Sequence, residues 1–373
     1  MNRNLHSGWG ISAYRVGLVL WLLMAGLPVA GAQNSFTGSL NLGPSFSTVP
    51  AIGDVNPYGI TVVPITTGNL VQGDILISNF NNSANLQGTG TTIMEISPGG
   101  AVQTFAQING SSLPGSCPGG VGLTTALVAL QAGWVIVGSL PTTDGTAATA
   151  QAGCLLVLNS TGQVVETFSG GPINGPWDAT VLDGGTTAAL FFTNVLNGTV
   201  AANGRVVQTA TVVRMLLSVS TTSMPHVVLT TIVGSGFPAR TDPAALVIGP
   251  TGLALSASGD RLYVNDSLKN RISVITNPLV RFRSAGKGFT LSQGKALVDP
   301  LGLTLAPNGD LIAANGGNGN LVEVTPKGRQ IATKQVDTGG GPPPGAGDLF
   351  GLVTTSNQVY FVDDGTNTLN VLQ

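Results

Sequence analysis

The stretch that decides the fold runs Pro250-Thr251-Gly252-Leu253-Ala254-Leu255, then Ser258-Gly259-Asp260, then Arg261-Leu262-Tyr263-Val264-Asn265-Asp266, and closes with Arg271-Ile272-Ser273-Val274-Ile275. An alternating apolar strand opens with Pro-x-Gly. A Gly-Asp turn follows, then a second strand that is apolar almost throughout and ends in a polar residue, then a third strand. The same outline returns downstream. One copy has Asp299-Pro300-Leu301-Gly302-Leu303, Asn308-Gly309-Asp310, Leu311-Ile312-Ala313-Ala314-Asn315 and Leu321-Val322-Glu323-Val324. Another has Phe350-Gly351-Leu352-Val353, Val359-Tyr360-Phe361-Val362-Asp363-Asp364 and Leu369-Asn370-Val371-Leu372. Upstream the copies loosen. They are centred on Pro57-Tyr58-Gly59-Ile60 with Ile75-Leu76-Ile77-Ser78-Asn79, on Trp134-Val135-Ile136-Val137-Gly138-Ser139, and on Trp177-Asp178-Ala179 with Leu190-Phe191-Phe192-Thr193-Asn194.

Six such units predict an all-β, six-bladed β-propeller, seven blades being the lesser alternative. A four-stranded sheet cannot bury both of its apolar faces alone, whereas stacking sheets radially covers both and leaves only short edges. The glycine opening each first strand is expected nearest the axis, where sheets crowd. The last copy ends at its third strand, which would leave an edge unpaired. The segment 36–49, with Phe36, Leu40, Leu42 and Phe46, belongs to no unit and is expected to supply the missing strand and close the ring.

Composition agrees. The 373 residues include 53 glycines, charged residues are 9%, and the formal net charge is −2, which excludes a disordered chain. The N-terminus carries Arg3 and Arg15, an uncharged apolar run over 16–29 and the small-x-small string Ala30-Gly31-Ala32. That is the layout of a secretory signal peptide over 1–32, with the run short of the ~20 residues that span a bilayer. An uncleaved anchor is the alternative. Residues 33–373 are expected to form one domain, secreted or periplasmic, with no stable membrane insertion after cleavage. Every other Lys and Arg lies from Arg205 onward, with a cluster at Arg281, Arg283, Lys287 and Lys295 that reads as an anion-attracting patch or as ordinary loop charge. No basic run with interleaved aromatics is present, so nucleic acid is not an expected partner. Cys117 and Cys154, the only cysteines, are expected to form one disulfide.

The string Leu262-Tyr263-Val264-Asn265-Asp266-Ser267-Leu268-Lys269-Asn270-Arg271-Ile272 resembles an NHL repeat, in which a strand ending in Asp is followed by Asn-Arg and a branched aliphatic residue. It is also similar to the YVTN repeats of exported propellers. The resemblance implies a propeller that binds proteins or nucleic acids, while relatives in the wider six-bladed group are metal-dependent lactonases or lyases. It brings no catalytic residue with it.

Because propeller strands alternate in direction, strand-one starts and strand-two ends share one face. There the sequence offers Asn79, Ser139, Asn194, Asn265, Asn315 and Asp363, with Asn56, Asp299 and Asp348 preceding first strands and Asp178 as a further member. The set reads as a ligand-binding face, Asn79, Asn194, Asn265, Asn315 and Asp363 foremost, with Asp299 and Asp348 as candidate ligands of a hard cation such as calcium. The competing reading is that these side chains cap turns. Loops 79–91, 139–153 and 194–208 should rise from the same face. His226, the one histidine after the leader, sits in an expected outer strand and gives no triad. No catalytic residue is assigned. The expected function is an exported, non-enzymatic binding module for a protein or small-molecule ligand. The alternative is a metal-dependent hydrolase or lyase of the gluconolactonase type, with Asp299, Asp348, Asn194 and Asn265 as ligands. The intact mass of the exported protein is expected to match a chain beginning at Gln33; a mass that retains 1–32 would establish an anchor instead.

Overall fold

The structure is a computed structural model that describes residues 34–373, so the leader assigned to 1–32 lies outside the described residues. Six antiparallel sheets follow one another along the chain. β1 (Leu42–Ser47) is set aside for the end of the ring. Blade 1 holds β2 (Val55–Val62), β3 (Ile75–Asn81), β4 (Thr92–Ile96) and β5 (Val102–Gln107). Blade 2 holds β6 (Leu123–Ala129), β7 (Val135–Ser139), β8 (Cys154–Leu158) and β9 (Val164–Phe168). Blade 3 holds β10 (Pro176–Asp183), β11 (Thr187–Asn194), β12 (Val207–Ser218), β13 (His226–Asp242) and a short fifth strand, β14 (Leu246–Ile248). Blade 4 holds β15 (Pro250–Leu255), β16 (Arg261–Asp266), β17 (Arg271–Thr276) and β18 (Phe289–Gln293). Blade 5 holds β19 (Pro300–Leu305), β20 (Leu311–Asn315), β21 (Asn320–Val324) and β22 (Gln330–Gln335). Blade 6 holds β23 (Leu349–Thr354), β24 (Val359–Asp363) and β25 (Thr368–Leu372), with β1 on its outer edge. Each first strand touches the next, and β23 returns to β2, which closes the ring.

The second strands are buried on both faces, as their unbroken apolar runs require: every residue of β3, β7, β20 and β24 is buried. Each Leu, Ile, Val or Phe taken from water there contributes about 1.5–3 kcal/mol. The residues of the NHL-like string have structural work to do. Arg271 Nε lies 2.8 Å from Asp266 Oδ2 inside the sheet. Asn270 takes the left-handed conformation that turns β16 back into β17 (φ 50°), and its Oδ1 accepts the Asp299 N–H.

The N-terminal segment closes the ring as the missing edge implied. β1 pairs antiparallel with β25, Leu42 opposite Leu372 and Ser47 opposite Thr368. Before reaching blade 6 it is clasped to blade 5. The buried Glu323 carboxylate accepts hydrogen bonds from the Thr37 and Ser35 hydroxyls at 2.7 Å and from the Phe36 and Thr37 N–H groups at 2.8 Å. Burial pulls Glu323 upward, but the Thr37 hydroxyl, the Phe36 N–H and their neighbours together hold it below the ordinary glutamate value. The clasp is therefore strongest above the ordinary glutamate pKa and weakens as pH falls through the lowered one.

Cys117 and Cys154 are bonded, with Cα atoms 5.1 Å apart, tying the approach to β6 to the start of β8. The pair is consistent with an extracellular protein. No helix among the described residues is long and apolar enough to cross a membrane. Deleting residues 33–48 is expected to yield an aggregating or poorly exported chain, because the β25 edge is then bare. A monomeric deletion product with an unchanged Tm would overturn the closing role of β1.

Candidate functional site in the axial cavity

The six first strands can be aligned on the residue at which each register shifts against its second strand: Pro57, Leu123, Pro176, Pro250, Pro300 and Leu349. Two places further on stand Gly59, Thr125, Asp178, Gly252, Gly302 and Gly351. The four glycines are imposed by crowding. A Cβ on Gly302 would collide with Phe350 O of the next blade, and one on Gly351 with Tyr58 O. One on Gly59 would lie 2.9 Å from both Thr124 O and Thr125 O. Asp178 is the one place in this circle where the chain puts an ionisable group.

One place earlier stand Tyr58, Trp177 and Phe350, from blades 1, 3 and 6. Tyr58 stacks on Phe350 with centroids 3.7 Å apart and on Phe80 at 4.5 Å, and meets Trp177 edge-on at 6.1 Å. Blades 1 and 3 are not neighbours, so these rings meet across the axis and plug the face on which first strands begin. The loops expected to reach outward from this face fold onto the plug instead: Leu140, Ala147, Ala150, Val195 and Leu196 are buried in the same apolar cluster.

Beneath the plug lies an axial cavity of about 410 Å³, lined by all six first strands and running to their ends at Leu182, Ser256, Leu305 and Val353. Its walls are aliphatic apart from the hydroxyls of Thr61, Thr125, Thr180, Thr304 and Ser256 and the Asp178 carboxyl. The Asp178 N–H donates to Thr193 Oγ1 at 3.0 Å, and its Oδ1 accepts the Ala179 N–H at 2.6 Å. Asp178 is only 8% exposed. Burial drives its pKa up to about 8, against the small opposing pull of the Ala179 N–H. At neutral pH the cavity therefore holds a neutral carboxylic acid, which can donate a proton.

Of the residues singled out from sequence, Asp178 lines the cavity and the foremost five do not. Asn79 donates to Thr48 O at 3.0 Å and Thr92 Oγ1 at 3.1 Å. Asn194 Oδ1 accepts the Asn174 and Gly175 N–H groups, both at 2.7 Å. Asn265 donates to Leu301 O at 3.0 Å and Gly302 O at 2.9 Å, fastening blade 4 to blade 5. Asn315 donates to Ala296 O at 2.7 Å, and Asp363 Oδ1 accepts the Thr366 N–H at 3.0 Å. All five are buried; Asn79 and Asn265 each leave Oδ1 without a hydrogen-bond partner.

Asp299 and Asp348 have different charged neighbours. Asp299 is raised by burial and by Asp242, with Arg240 opposing. Asp348 is pushed up to about 6 by burial and by a hydrogen bond shared with Asp337, beside Asp363. Among the described residues no three Asp, Glu, His or Cys side chains converge as a metal would require. Of the four ligands expected of a metal centre, Asn194 already has its Oδ1 engaged by two backbone N–H groups, while Asn265 keeps a free buried Oδ1.

No family model matches the chain, and no curated protein matches it. Solved structures do. A luciferin-regenerating enzyme is 10% identical with a TM-score of 0.56, covering 89% of this chain and 95% of its own. A gluconolactonase candidate is 14% identical with a TM-score of 0.52, covering 92% and 96%. Regucalcin from Agrobacterium tumefaciens, a calcium-binding protein, is 11% identical with a TM-score of 0.51, covering 85% and 89%. These similarities establish the six-bladed propeller. The expectation of a non-enzymatic binding module is corrected here, since structures that share this fold include a luciferin-regenerating enzyme and a gluconolactonase candidate.

The raised pKa of Asp178 fixes a sign. From about pH 4 to pH 8 the folded chain holds a proton that the unfolded chain releases, so stability is greatest below the ordinary aspartate value and falls as pH rises to about 8. The loss is on the order of 5 kcal/mol at most. Asp178→Asn is expected to raise Tm above pH 8 and leave it nearly unchanged at pH 4. Melting curves that shift equally at both pH values would show that the carboxyl is not held neutral.

Proposed function

We propose that the chain is an exported hydrolase or lyase of the gluconolactonase-like six-bladed group, acting in its axial cavity on a small uncharged lactone or ester with Asp178 as the acid. The observation that carries this reading is the placement of Asp178: a protonated carboxyl stands where four blades are held to glycine. Local rules are broken in this way mainly at functional sites. The cavity volume lies in the small-molecule range. Its lining includes no Lys or Arg, so an anionic substrate would find no counter-charge, whereas an uncharged one can be held by the threonine hydroxyls.

In hydrolysis a water oxygen bonds to the acyl carbon and the acyl C–O bond of the ring breaks. The Asp178 proton passes to the departing alkoxide oxygen, and the carboxylate then takes the proton shed by the added water. The acid is restored and the product is a neutral hydroxy acid, which ionises by giving its carboxyl proton to solvent once it leaves the cavity. Among the described residues no group of three or more His, Cys, Asp and Glu side chains that could hold a metal ion is present, and no step is assigned to a metal. The leader-like N-terminus and the disulfide support a secreted or periplasmic location, and the Asp266-Asn270-Arg271-Ile272 string supports an NHL-type origin for the repeats.

A panel of small γ- and δ-lactones tests the reading. Wild-type kcat is expected to be level below pH 7 and to fall through about pH 8 as Asp178 loses its proton. Asp178→Asn is expected to lower kcat by about 10²–10⁴ with the fold retained. An Asp178→Asn enzyme with unchanged turnover, or a wild type inert on the whole panel, would overturn it.

A further inference from the structure

The face on which the first strands end carries an apolar surface that the cavity does not use. On the free edge of β13, Val227, Val228 and Leu229 are exposed, Val228 at 67%, with Ile232 one turn of the pleat beyond. The loop 277–288 from blade 4 lies against this edge and raises Val280, 68% exposed, and Phe282, 82% exposed. Arg281 and Arg283 flank Phe282, and Lys287 follows in the same loop. Phe282, Arg283, Leu229 and Ile232 border one shallow depression.

The exposure of Phe282 is built in. Arg214, buried to 1%, donates from its guanidinium to Pro278 O, at 2.8 Å, and to Leu279 O. The Ala285 N–H donates to Val233 O and the Ser235 N–H to Gly286 O, both at 2.9 Å. The Ser235 and Ser284 hydroxyls share a hydrogen bond of 2.7 Å. A buried guanidinium is costly, and here it fixes a loop whose tip is an exposed phenylalanine between two arginines.

We infer that this surface, the 280–283 tip with the β13 edge, docks the protein on an anionic lipid surface. Apolar side chains that enter the acyl boundary, with cationic side chains level with the headgroups, are what such a surface recognises. Charge complementarity singles out this occupant. Loop 277–288 carries Arg281, Arg283 and Lys287 and no Asp or Glu. Strand addition by a peptide or a second copy fits less well, because the β13 ladder shifts register near Val228 and again near Val233. A fluid surface needs no register. Leu182 connects the patch to the cavity: it is 42% exposed, lines the axial cavity and adjoins Val228 and Leu279. Docking here turns the cavity mouth toward the lipid.

The test is co-sedimentation of the exported chain with phosphatidylglycerol-containing vesicles and with pure phosphatidylcholine vesicles. Binding is expected to the former, to weaken with salt, to fall about tenfold for Phe282→Ser and about fivefold for Arg283→Gln. Both side chains are exposed, so an unchanged Tm confirms folded variants. Failure of the wild type to bind anionic vesicles, or equal binding by Phe282→Ser, overturns the inference. So does self-association in sedimentation velocity that Phe282→Ser abolishes while vesicles bind neither protein; that result would assign the patch to a second copy.

Discussion

The molecule is organised by a single steric limit, the approach of neighbouring first strands at the axis. Two places past the register shift of the first strand, where Gly59, Gly252, Gly302 and Gly351 face the backbone of the next blade, a Cβ has almost nowhere to go. Small residues at this level leave the space below them open as a narrow cavity walled by Ile60, Leu253, Leu303 and Leu352. Larger residues one place earlier fill the axis above it with Tyr58, Trp177 and Phe350. Plug and cavity are two consequences of side-chain size at successive places in one strand, read around the ring.

That limit also explains which parts of the architecture were legible in the sequence. Pro-x-Gly openings, doubly buried second strands and a last unit lacking an edge are local patterns, and they led to six blades, to the closing role of 36–49 and to the Cys117–Cys154 bond. The plug was not legible, because Tyr58, Trp177 and Phe350 are far apart in sequence and meet only once the ring is closed. Asp178 is visible as a polar residue in a divergent copy, but its sequence pattern sets it with Asn56, Asp299 and Asp348 in one polar face. Aligning all six copies on the register shift, and asking which residue replaces glycine, would have separated it from them. Asn265 fastens its blade to the next and Asn315 holds the segment that enters its own blade, structural demands that periodicity alone cannot tell from ligand binding.

Electrostatics then separates two kinds of acidic residue. Asp348 and Asp363 sit where other carboxylates crowd them, and Asp348 is raised partly by a shared hydrogen bond with Asp337. Asp178 has no charged neighbour among the causes of its shift; burial alone accounts for the rise. A carboxyl raised by burial in a cavity keeps its proton until a reacting group removes it, whereas a crowded cluster trades protons internally. Only the first is arranged as an isolated acid facing space that a substrate could fill.

The two unusual investments of the chain are both in blade 3 and both serve the same face. One is Asp178 in the first strand, below the plug, so that the cavity it serves runs to the ends of the first strands. The other is Arg214 in the third strand, buried to hold the 277–288 loop of blade 4 against β13. Blade 3 is also the copy with the weakest repeat signature, an overlong outer strand and an added β14. A blade relieved of uniformity is where a ring of near-identical units can acquire direction. Its inner strand places a buried carboxyl at the axis, its outer strand carries an exposed apolar edge, and Leu182 at the end of β10 lines the axial cavity and adjoins Val228.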